Sequence, residues 1–379
     1  MRWVKITDVK TIVLSYPLTR PVTTSFGEMH SRTNVLIRID TDEGISGTGE
    51  TWTNFPHWAP EERKITVEKG IKPLLIGENP LNISFLWEKM YKSLMKSGAG
   101  LQWGAKGPLI QAISGIDIAL WDILGKKLNT PVYQLLGGKV CAEIKAYASG
   151  LGPRDYEEYV QNSLAMGYSA FKLKVGFGRD LDLQNLKTMR ELIGDRRALM
   201  IDANQGWSDA DEAIEHLKLY AKFNPAFIEE PVPAGQLDDL KKIKDTKIMP
   251  VAGGENIYTR IEFKNTFARE ALNIVQPDIT KTGGLSESKH ICHMAWAWKL
   301  PFAPHMFGTG VGLAASLHLL AAIPNGLFME VDANPNPLRT DLLEETFFNF
   351  INGCFVLAGD RPGLGIKLNM DALKEYERR

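Results

Sequence analysis

The 379-residue sequence contains only three cysteines, Cys141, Cys292 and Cys354, which lie far apart and form no CxxC pair. A disulfide framework or a structural zinc site is therefore not expected. We expect reduced thiols in a cytoplasmic protein. Lysine plus arginine (44) and aspartate plus glutamate (45) nearly cancel, which disfavours a nucleic-acid surface or a polybasic membrane anchor. The N-terminus has no signal-peptide core, and no apolar run approaches the roughly 20 residues of a spanning helix. These absences predict a soluble intracellular protein whose partner is a small molecule.

The first third of the chain mixes strand and helix patterns. Hydrophobic residues make up 44% of the chain, enough for a large core and for more than one domain. Alternating β-branched residues predict strands at Val4–Leu14 and Asn34–Asp40, and a turn at Asp42–Gly44 predicts a hairpin between Val35–Ile39 and Ile45–Thr51. Helical periodicity follows in Pro60–Leu75, Pro80–Met95 and the strongly apolar Gly107–Leu128.

From Ile144 onward, short apolar runs alternate with longer amphipathic stretches. Eight such runs predict a closed parallel barrel: Ile144–Ala148, Ala170–Val175, Ala198–Ile201, Phe227–Ile228, Met249–Ala252, Ile274–Val275, Phe302–Pro304 and Leu327–Val331. After Asp341 the pattern becomes strand-like again at Cys354–Leu357, and we expect this tail to return to the first domain.

Polar residues recur where the predicted barrel strands end, which is where barrel enzymes build their active sites. They are Lys172 and Lys174, Asp202, Glu229, Glu255, Asp278, His305 and Glu330. Counted from Lys174, successive positions are separated by about 23 to 28 residues, the length of one βα unit. A chance distribution of charges would not follow the period of the fold, so we expect these side chains at one mouth of the barrel.

The three acids Asp202, Glu229 and Glu255 follow consecutive strands. Three carboxylates, with room for water and substrate oxygens, are suited to Mg²⁺. The alternative is a network of salt bridges. Glu229 and Glu230 are adjacent, and because strand side chains alternate, only one of them can share the ligand face. The pattern alone does not choose between them.

Candidate bases occur both before and after these acids along the chain. Lys172 and Lys174 lie on one side of a strand, where mutual repulsion and a nearby cation should lower the pKa of one ammonium group. A wet strand edge is the ordinary alternative for such a pair. Asp278 and His305 end neighbouring strands, so the aspartate could orient the imidazole and raise its basicity.

Glu330 ends the eighth strand. It is either a structural acid or, if burial keeps it protonated, a hydrogen-bond donor to a developing oxyanion. The histidines on predicted helices are interpreted as structural; these are His216, His290, His293 and His318.

Taken together, these residues resemble the enolase superfamily and, within it, the mandelate racemase subgroup, close to its acid-sugar dehydratases. The motifs that carry the resemblance span nearly the whole chain: Ser114–Asp122, Lys172-x-Lys174, Ile201–Asn204, Ile228–Pro231, Gly253–Asn256, Gln276–Asp278, Thr282–Gly284, His305 and Glu330. Each is weak alone, and the combination is highly specific.

The resemblance implies an α+β capping domain over a (β/α)7β barrel, a modified TIM barrel. Residues 1–130, joined by the returning tail 341–379, would form the cap, and residues 131–340 the barrel. It implies Mg²⁺ on Asp202, Glu229 and Glu255, because the family's ligand stands two residues before the proline of this motif. It also implies Lys174 as one base and the His305–Asp278 pair as the other, and assembly into homo-oligomers, dimers or octamers.

The implied chemistry is removal of the proton α to a carboxylate and stabilisation of the enediolate. Mg²⁺, Lys172 and Glu330 would stabilise the charge on the substrate oxygens. Dehydration of a sugar acid to a 2-keto-3-deoxy acid is favoured, and racemisation or epimerisation of a 2-hydroxy acid is the alternative. A non-catalytic protein on the same fold and a lysine Schiff-base barrel using Lys174 are further alternatives.

Substrate specificity is expected to reside in the segment Val22–Asn34, predicted to be a loop, near Trp52 and after Glu330. The polar side chains of that segment suit hydroxyl groups or a second carboxylate, whereas Phe26 and Met29 leave an aromatic substrate open. The candidate substrate-binding residues are Asn204, Thr24, His30, Arg32 and Trp52.

Overall fold

The computed structural model describes residues 3–96 and 104–378. The chain begins with a three-stranded antiparallel sheet, made of β1 (Ile6–Thr24), β2 (Gly27–Thr41) and β3 (Ser46–Thr51). The predicted hairpin is the β2–β3 pair. The predicted loop over 22–34 is instead the closed end of a β1–β2 hairpin, because Val22 pairs with Met29 and Thr24 with Gly27. Only Ser25 and Phe26 remain at its tip.

Helices cover one face of this sheet and complete the capping domain. They are Ala59–Ile65, the π-helix Thr66–Ile71, Lys72–Leu75, Ile83–Met95 and Lys106–Lys127. Helix Lys106–Lys127 lies so close to β3 that a Cβ atom at Gly49 would stand 2.0 Å from the carbonyl oxygen of Gly115. That approach explains why β3 carries glycine at this position.

Helix Lys106–Lys127 corrects one expectation from the sequence. It is long and apolar enough to cross a membrane, but 78% of its apolar window is buried inside the protein. Its residues Ile113, Ile116 and Leu120 are inaccessible and pack into the hydrophobic core of the capping domain. This helix is therefore apolar because it is the central helix of that domain.

The barrel follows as a ring of parallel strands joined by helices. Its strands are β4 (Glu143–Leu151), β5 (Ala170–Lys174), β6 (Ala198–Asp202), β7 (Ile228–Glu229), β8 (Val251–Gly253), β9 (Ile274–Val275) and β10 (Met329–Asp332). The surrounding helices are Val132–Leu136, Glu157–Ala165, Arg179–Ile193, Ala210–Tyr220, Leu237–Asp245, Thr259–Ala268, Gly284–Ala297, Gly310–Ala321 and Pro337–Thr340. β10 pairs with β4 and closes the ring.

The seventh position of the ring is held by isolated bridges. Phe302 bridges Val275 on one side and Gly326 on the other, and His305 bridges Asp278. The predicted (β/α)7β barrel with an α+β cap is thus confirmed, with its seventh strand much reduced. A floor of buried hydrophobic side chains fills the barrel below the mouth: Tyr147, Ala170, Met200, Phe227, Ala252, Ile274 and Ala303.

The C-terminal tail divides between the two parts of the molecule. Strands β12 (Phe348–Ile351) and β13 (Cys354–Leu357) extend the barrel sheet, because β13 pairs with the start of β4. Two further short strands, β11 (Leu343–Glu345) and β14 (Lys367–Leu368), pair with each other. The last helix, Met370–Tyr376, reaches β1, where the backbone N–H of Arg378 donates to the Val13 carbonyl. The Leu364 backbone N–H donates to Asp122 Oδ1 in helix Lys106–Lys127 at 2.9 Å. The predicted return to the first domain therefore applies to the part of the tail that follows β13.

Candidate active site

A cavity of about 300 Å³ lies between the barrel mouth and the capping domain. On the barrel side it is lined by Lys174, Asp202, Asn204, Glu255, Lys281, His305 and Glu330. Strand register explains their common height, since Lys174 pairs with Asp202 and Asp202 with Glu229 across neighbouring strands. Five of the eight strand-end residues predicted from the sequence border the cavity, whereas Lys172, Glu229 and Asp278 lie behind its lining.

Lys174 is held by the loop that follows β6. Its Nζ lies 2.5 Å from Asn204 Oδ1 and 3.3 Å from Asp202 Oδ2. Asn204 also donates its backbone N–H and its Nδ2 to the two carboxylate oxygens of Asp202, at 2.8 and 3.0 Å. Asn204 therefore positions both the candidate base and the first candidate metal ligand.

Lys172 lies deeper and joins two acids. Its Nζ is 2.5 Å from Glu229 Oε2 and 2.8 Å from Glu330 Oε1. Burial works to lower the pKa of Lys172, but Glu229 and Glu330 outweigh it, and the pKa lies well above its usual value. The lowered pKa predicted for one lysine of the pair is therefore not the state of Lys172, which is a fixed cation.

Glu330 also differs from one sequence-based expectation. Its oxygens accept hydrogen bonds from the Ser149 hydroxyl and the Met306 backbone N–H, in addition to the ion pair with Lys172. Burial works to raise the pKa of Glu330, and Lys172 and His305 outweigh it, so the pKa is lowered. Glu330 is thus an ionised acceptor that anchors Lys172, and not the protonated donor considered from the sequence.

The acids Glu229 and Glu230 occupy different surroundings. Glu229 accepts from Lys172 and from Gln276 Nε2 at 2.8 Å, whereas Glu230 accepts only from the amides of Gln205 and Asn256. Burial, with repulsion from nearby carboxylates, raises the pKa of Glu229 to about 7 and that of Glu230 to about 8. Both belong to one crowded negative cluster.

Glu255 connects this cluster to the histidine. Its Oε2 is 3.1 Å from His305 Nε2 and 3.3 Å from Lys281 Nζ. Burial works to raise the pKa of Glu255, but His305 and Lys281 outweigh it and lower the pKa to about 2.

His305 and Asp278 form the predicted pair. His305 Nδ1 donates to Asp278 Oδ2 at 2.7 Å, and Asp278 Oδ1 accepts from the backbone N–H and the hydroxyl of Thr280 at 2.7 and 2.6 Å. Burial works to lower the pKa of His305, but Glu255, Glu330 and Asp278 outweigh it and raise the pKa to about 9. Because both ring nitrogens face carboxylates, both must donate, and the ring is held as an imidazolium.

The charges of the site do not balance. Six buried carboxylates surround three lysines: Asp202, Glu229, Glu230, Glu255, Asp278 and Glu330, against Lys172, Lys174 and Lys281. Even with His305 protonated, the buried cluster keeps an excess of two negative charges. Burial is the largest cause of the raised pKa values of Glu229 and Glu230, and repulsion within this excess of carboxylates adds to it.

Four of these carboxylates are turned toward lysines, namely those of Asp202, Glu229, Glu255 and Glu330. Within the described residues, no three acidic, histidine or cysteine side chains stand close enough together to form a ready metal cluster. The set nonetheless has the chemistry of a divalent-cation site, since its oxygen ligands are hard and its net charge is negative. Asp202 and Glu255 face the cavity, and Glu229 lies directly beneath.

The capping face of the cavity is mostly apolar. It is formed by Val22, Phe26, Met29, Trp52 and Phe55, together with the Thr24 side chain. Thr24 donates its hydroxyl to the Gly27 carbonyl at 2.8 Å, which leaves the rest of its side chain on the cavity wall. Thr24 and Trp52, two of the predicted substrate-binding residues, therefore border the cavity, as Asn204 does on the barrel side.

His30 and Arg32 do not line the cavity. The His30 side chain is 74% exposed and lies 3.6 Å from Glu28, because its position in β2 points outward. Arg32 is completely buried, forms an ion pair with Asp332 and stacks 4.6 Å over the Phe307 ring. Neither residue borders the cavity, because the segment predicted to be a loop is a strand pair, and their role in substrate binding stays a prediction.

Lys281 and Asn54 are among the cavity residues that the sequence did not indicate. Lys281 follows Asp278 by three residues; its Nζ lies 4.4 Å over the Trp52 ring and 3.0 Å from Asn256 Oδ1. Asn54 donates its Nδ2 to the Phe307 carbonyl at 2.6 Å. A lysine just past a strand end was a usable signal for Lys281, whereas nothing in the local sequence marked Asn54.

Comparison with known proteins places these features in a family. Residues 6–137 match the mandelate racemase / muconate lactonizing enzyme N-terminal domain, and residues 155–372 match the enolase C-terminal domain-like family. Together the two matches cover most of the chain.

Similar proteins of known name match over nearly their full lengths. A D-galactarolactone cycloisomerase from Agrobacterium fabrum is 35% identical, with 98% of each chain covered. An arabinonate dehydratase from Saccharolobus solfataricus is also 35% identical, over 92% of this chain and 91% of that protein. A crystal structure of a racemase from Streptomyces coelicolor with bound magnesium has a TM-score of 0.88, 28% identity, and coverage of 98% of this chain and 100% of that one.

Proposed function

The chain belongs to the mandelate racemase / muconate lactonizing enzyme family of the enolase superfamily, and from this premise we propose that it is a magnesium-dependent acid-sugar dehydratase. It removes the proton α to the carboxylate of a sugar acid, eliminates water through an enediolate and releases a 2-keto-3-deoxy acid. The observation that carries the proposal is the pair of basic side chains, Lys174 and His305, bordering one cavity beside an excess of carboxylates.

Mg²⁺ would be held by Asp202, Glu229 and Glu255. These acids follow three consecutive strands, and the uncompensated negative charge around them is what a divalent cation would balance. When bound, the cation offsets the negative charge that develops on substrate carboxylate oxygens as the α-proton leaves.

The proton transfers are assigned to the two sides of the cavity. Lys174 takes or gives a proton on the side of the β6 loop, where Asn204 aims its ammonium group. The His305 imidazolium, oriented by Asp278, is a ready acid for the departing hydroxyl group on the other side. Lys172, fixed between Glu229 and Glu330, contributes a permanent positive charge beneath the substrate carboxylate.

A panel of mono- and diacid sugars, incubated with enzyme and Mg²⁺ and assayed for 2-keto acids with semicarbazide, tests the proposal. D-galactonate, D-xylonate and arabinonate belong in the panel because relatives are named for acting on them. We expect one substrate to lose water in wild-type enzyme and not in Lys174→Ala. A blank panel, combined with deuterium entry at Cα of another 2-hydroxy acid, would replace dehydration with racemisation.

A second candidate is cycloisomerisation of a cyclic sugar acid. The apolar cap, with Phe26, Trp52 and Phe55, suits the C–H faces of a ring better than a row of hydroxyl groups. Loss of the α-proton would then break a ring C–O bond at the β carbon in place of a C–OH bond. Product mass distinguishes the two, since cycloisomerisation conserves the mass of the substrate and dehydration lowers it by one water.

Three broader assignments complete the proposal. We assign residues 1–130 with the end of the tail to the capping domain and residues 131–340 to the barrel. A homo-oligomer, dimer or octamer, is expected from the family and is measurable by light scattering. A cytoplasmic location accords with the free thiols of Cys141, Cys292 and Cys354.

A further inference from the structure

One segment of the capping domain contacts both loops that carry the His305–Asp278 pair. Glu50, the penultimate residue of β3, and Trp52 and Asn54 just beyond the strand each make one of these contacts. Glu50 accepts hydrogen bonds from the backbone N–H and the hydroxyl of Thr309, at 2.9 and 2.6 Å, and from the Gly312 N–H at 2.7 Å. The Glu50 contact thus holds the chain at Thr309, four residues beyond His305.

The other two contacts lie closer to the pair. The Trp52 backbone N–H donates to the Thr280 carbonyl at 3.3 Å, and Thr280 in turn donates twice to Asp278. Asn54 Nδ2 donates to the Phe307 carbonyl at 2.6 Å, two residues after His305. Each member of the pair is therefore linked to the capping segment through the residue two positions further along the chain, Thr280 for Asp278 and Phe307 for His305.

Strand pairing supplies little to hold the His305 backbone, although the neighbouring Met306 N–H donates to Glu330 at 3.0 Å. The seventh strand position consists of single bridges at Phe302 and His305, where other positions have a hydrogen-bonded ladder. The loop after His305 is packed tightly on the cap, since a Cβ atom at Gly308 would lie 2.2 Å from Glu50 Oε1. The height and tilt of the imidazole are thus set by the cap more than by strand pairing.

We infer that the segment Glu50–Asn54 is the positioning element of the His305 acid, and that Asn54 is its decisive residue because its amide holds the Phe307 carbonyl. Asn54 acts through the loop and is a positioning residue. The inference rests on the proposed function only in naming His305 as the acid, and its central test needs no turnover.

The test follows the proton between His305 Nδ1 and Asp278 by NMR in Mg²⁺-loaded protein labelled with [15N]histidine. This proton should give a downfield resonance, which is assigned to His305 by its absence in the His305→Asn variant. We expect Asn54→Ala to shift the resonance or to accelerate its exchange with water. Asn54→Asp is nearly isosteric, places a carboxylate against the same carbonyl and should do likewise, which covers the case in which the alanine variant does not fold.

Ser286→Ala is the matched control. It removes another hydrogen bond between cap and barrel, the one from Trp121 Nε1 to Ser286 Oγ at 2.9 Å, without touching either loop. We expect an unaltered His305 resonance in this variant. An Asn54 variant whose resonance matches that of wild type, or a Ser286 variant that loses it equally, would overturn the inference.

Turnover gives a second, separable readout. With a substrate from the panel, Asn54→Ala should lower kcat about tenfold and change KM less, because a misplaced acid impairs the reaction more than binding. If no panel substrate reacts, the proposed function fails while the NMR comparison still decides the positioning role. If wild type turns over and Asn54→Ala has unaltered kcat, the positioning role is refuted.

Discussion

The barrel and the capping domain both bury carboxylates, but they surround them differently. Asp202, Glu229, Glu255 and Glu330 in the barrel mouth each have a lysine Nζ within 3.3 Å. In the cap, Glu50 is surrounded by backbone N–H groups, a threonine hydroxyl and an amide, and Asp117 accepts from the Ser286 backbone N–H at 2.9 Å.

The difference shows what each kind of burial accomplishes. Carboxylates beside lysines keep strong local fields in a low-dielectric site, where a substrate or a cation can use them. Carboxylates that accept from backbone N–H groups tie one element to another. We therefore propose that the same residue types serve the reaction in the barrel and join the two domains in the cap. The predictions below test that division.

The largest effect is expected from removal of a base in the barrel mouth. Lys174→Ala or His305→Asn should each lower kcat by about 10³-fold, because a positioned acid or base contributes about 10²–10⁴-fold. Circular dichroism should show an intact fold. His216→Asn is the control, since His216 stacks on Trp207 outside the cavity. Near-wild-type turnover in Lys174→Ala or His305→Asn would remove that residue from the mechanism.

The next largest effect is expected on the stability of the folded protein, from the buried Asp117 of the cap. Burial, with repulsion from Glu287, raises the pKa of Asp117 to about 7. The folded protein therefore binds a proton that the unfolded chain has lost between about pH 4 and 7, and stability falls as pH rises through that window. Asp117→Asn keeps the acceptor for Ser286 and removes the ionisation, so at pH 8 it should be more stable by up to roughly 4 kcal/mol.

Denaturant unfolding at pH 5 and pH 8 measures this prediction. The gain from Asp117→Asn should be largest at pH 8 and should shrink toward pH 5, where the native carboxyl is already protonated. A destabilised variant at pH 8 would mean that the ionised Asp117 carboxylate strengthens the contact between the domains, contrary to the raised pKa on which this prediction rests.

A metal-ligand substitution tests the barrel acids directly. Glu229→Gln should weaken Mg²⁺ binding at least about 100-fold, since loss of even an outer partner of a metal site costs about 10–100-fold. The glutamine amide keeps the shape of the glutamate side chain, and Lys172 retains its ion pair with Glu330. Calorimetric titration with Mg²⁺ compares this variant with Glu50→Gln, whose carboxylate lies in the cap. Equal weakening in both would contradict the separate roles.

The two regions also differ in how far the sequence could predict them. The barrel acids and bases recur once per βα unit at strand ends, so periodicity alone placed Lys174, Asp202 and His305 at one mouth. The capping face has no such period. Whether Thr24 or His30 faces the cavity depends on the register of a hairpin, and one residue of shift exchanges the two faces of a strand.

Long-range contacts account for the remaining misses. Arg32 could not be read as a buried partner of Asp332, because 300 residues separate them in the chain. Asn54 acquires its role only through a carbonyl at position 307. The direction of the pKa shift of Lys172 depends on Glu229 and Glu330 both pointing at it, which strand order suggests but side-chain geometry decides.

The smallest effect is expected on the apolar capping face. Phe26 borders the cavity and packs edge-on against Phe55, with ring centroids 5.2 Å apart. Phe26→Ala should raise KM about tenfold with little change in kcat, because this contact binds ground state and transition state equally. His30→Ala, four residues further along the same hairpin with its side chain outside the cavity, should leave both constants unaltered. If Phe26→Ala instead lowers kcat and leaves KM alone, the cap takes part in the chemistry, and the separation of a reactive barrel from a binding cap fails at the surface where the two meet.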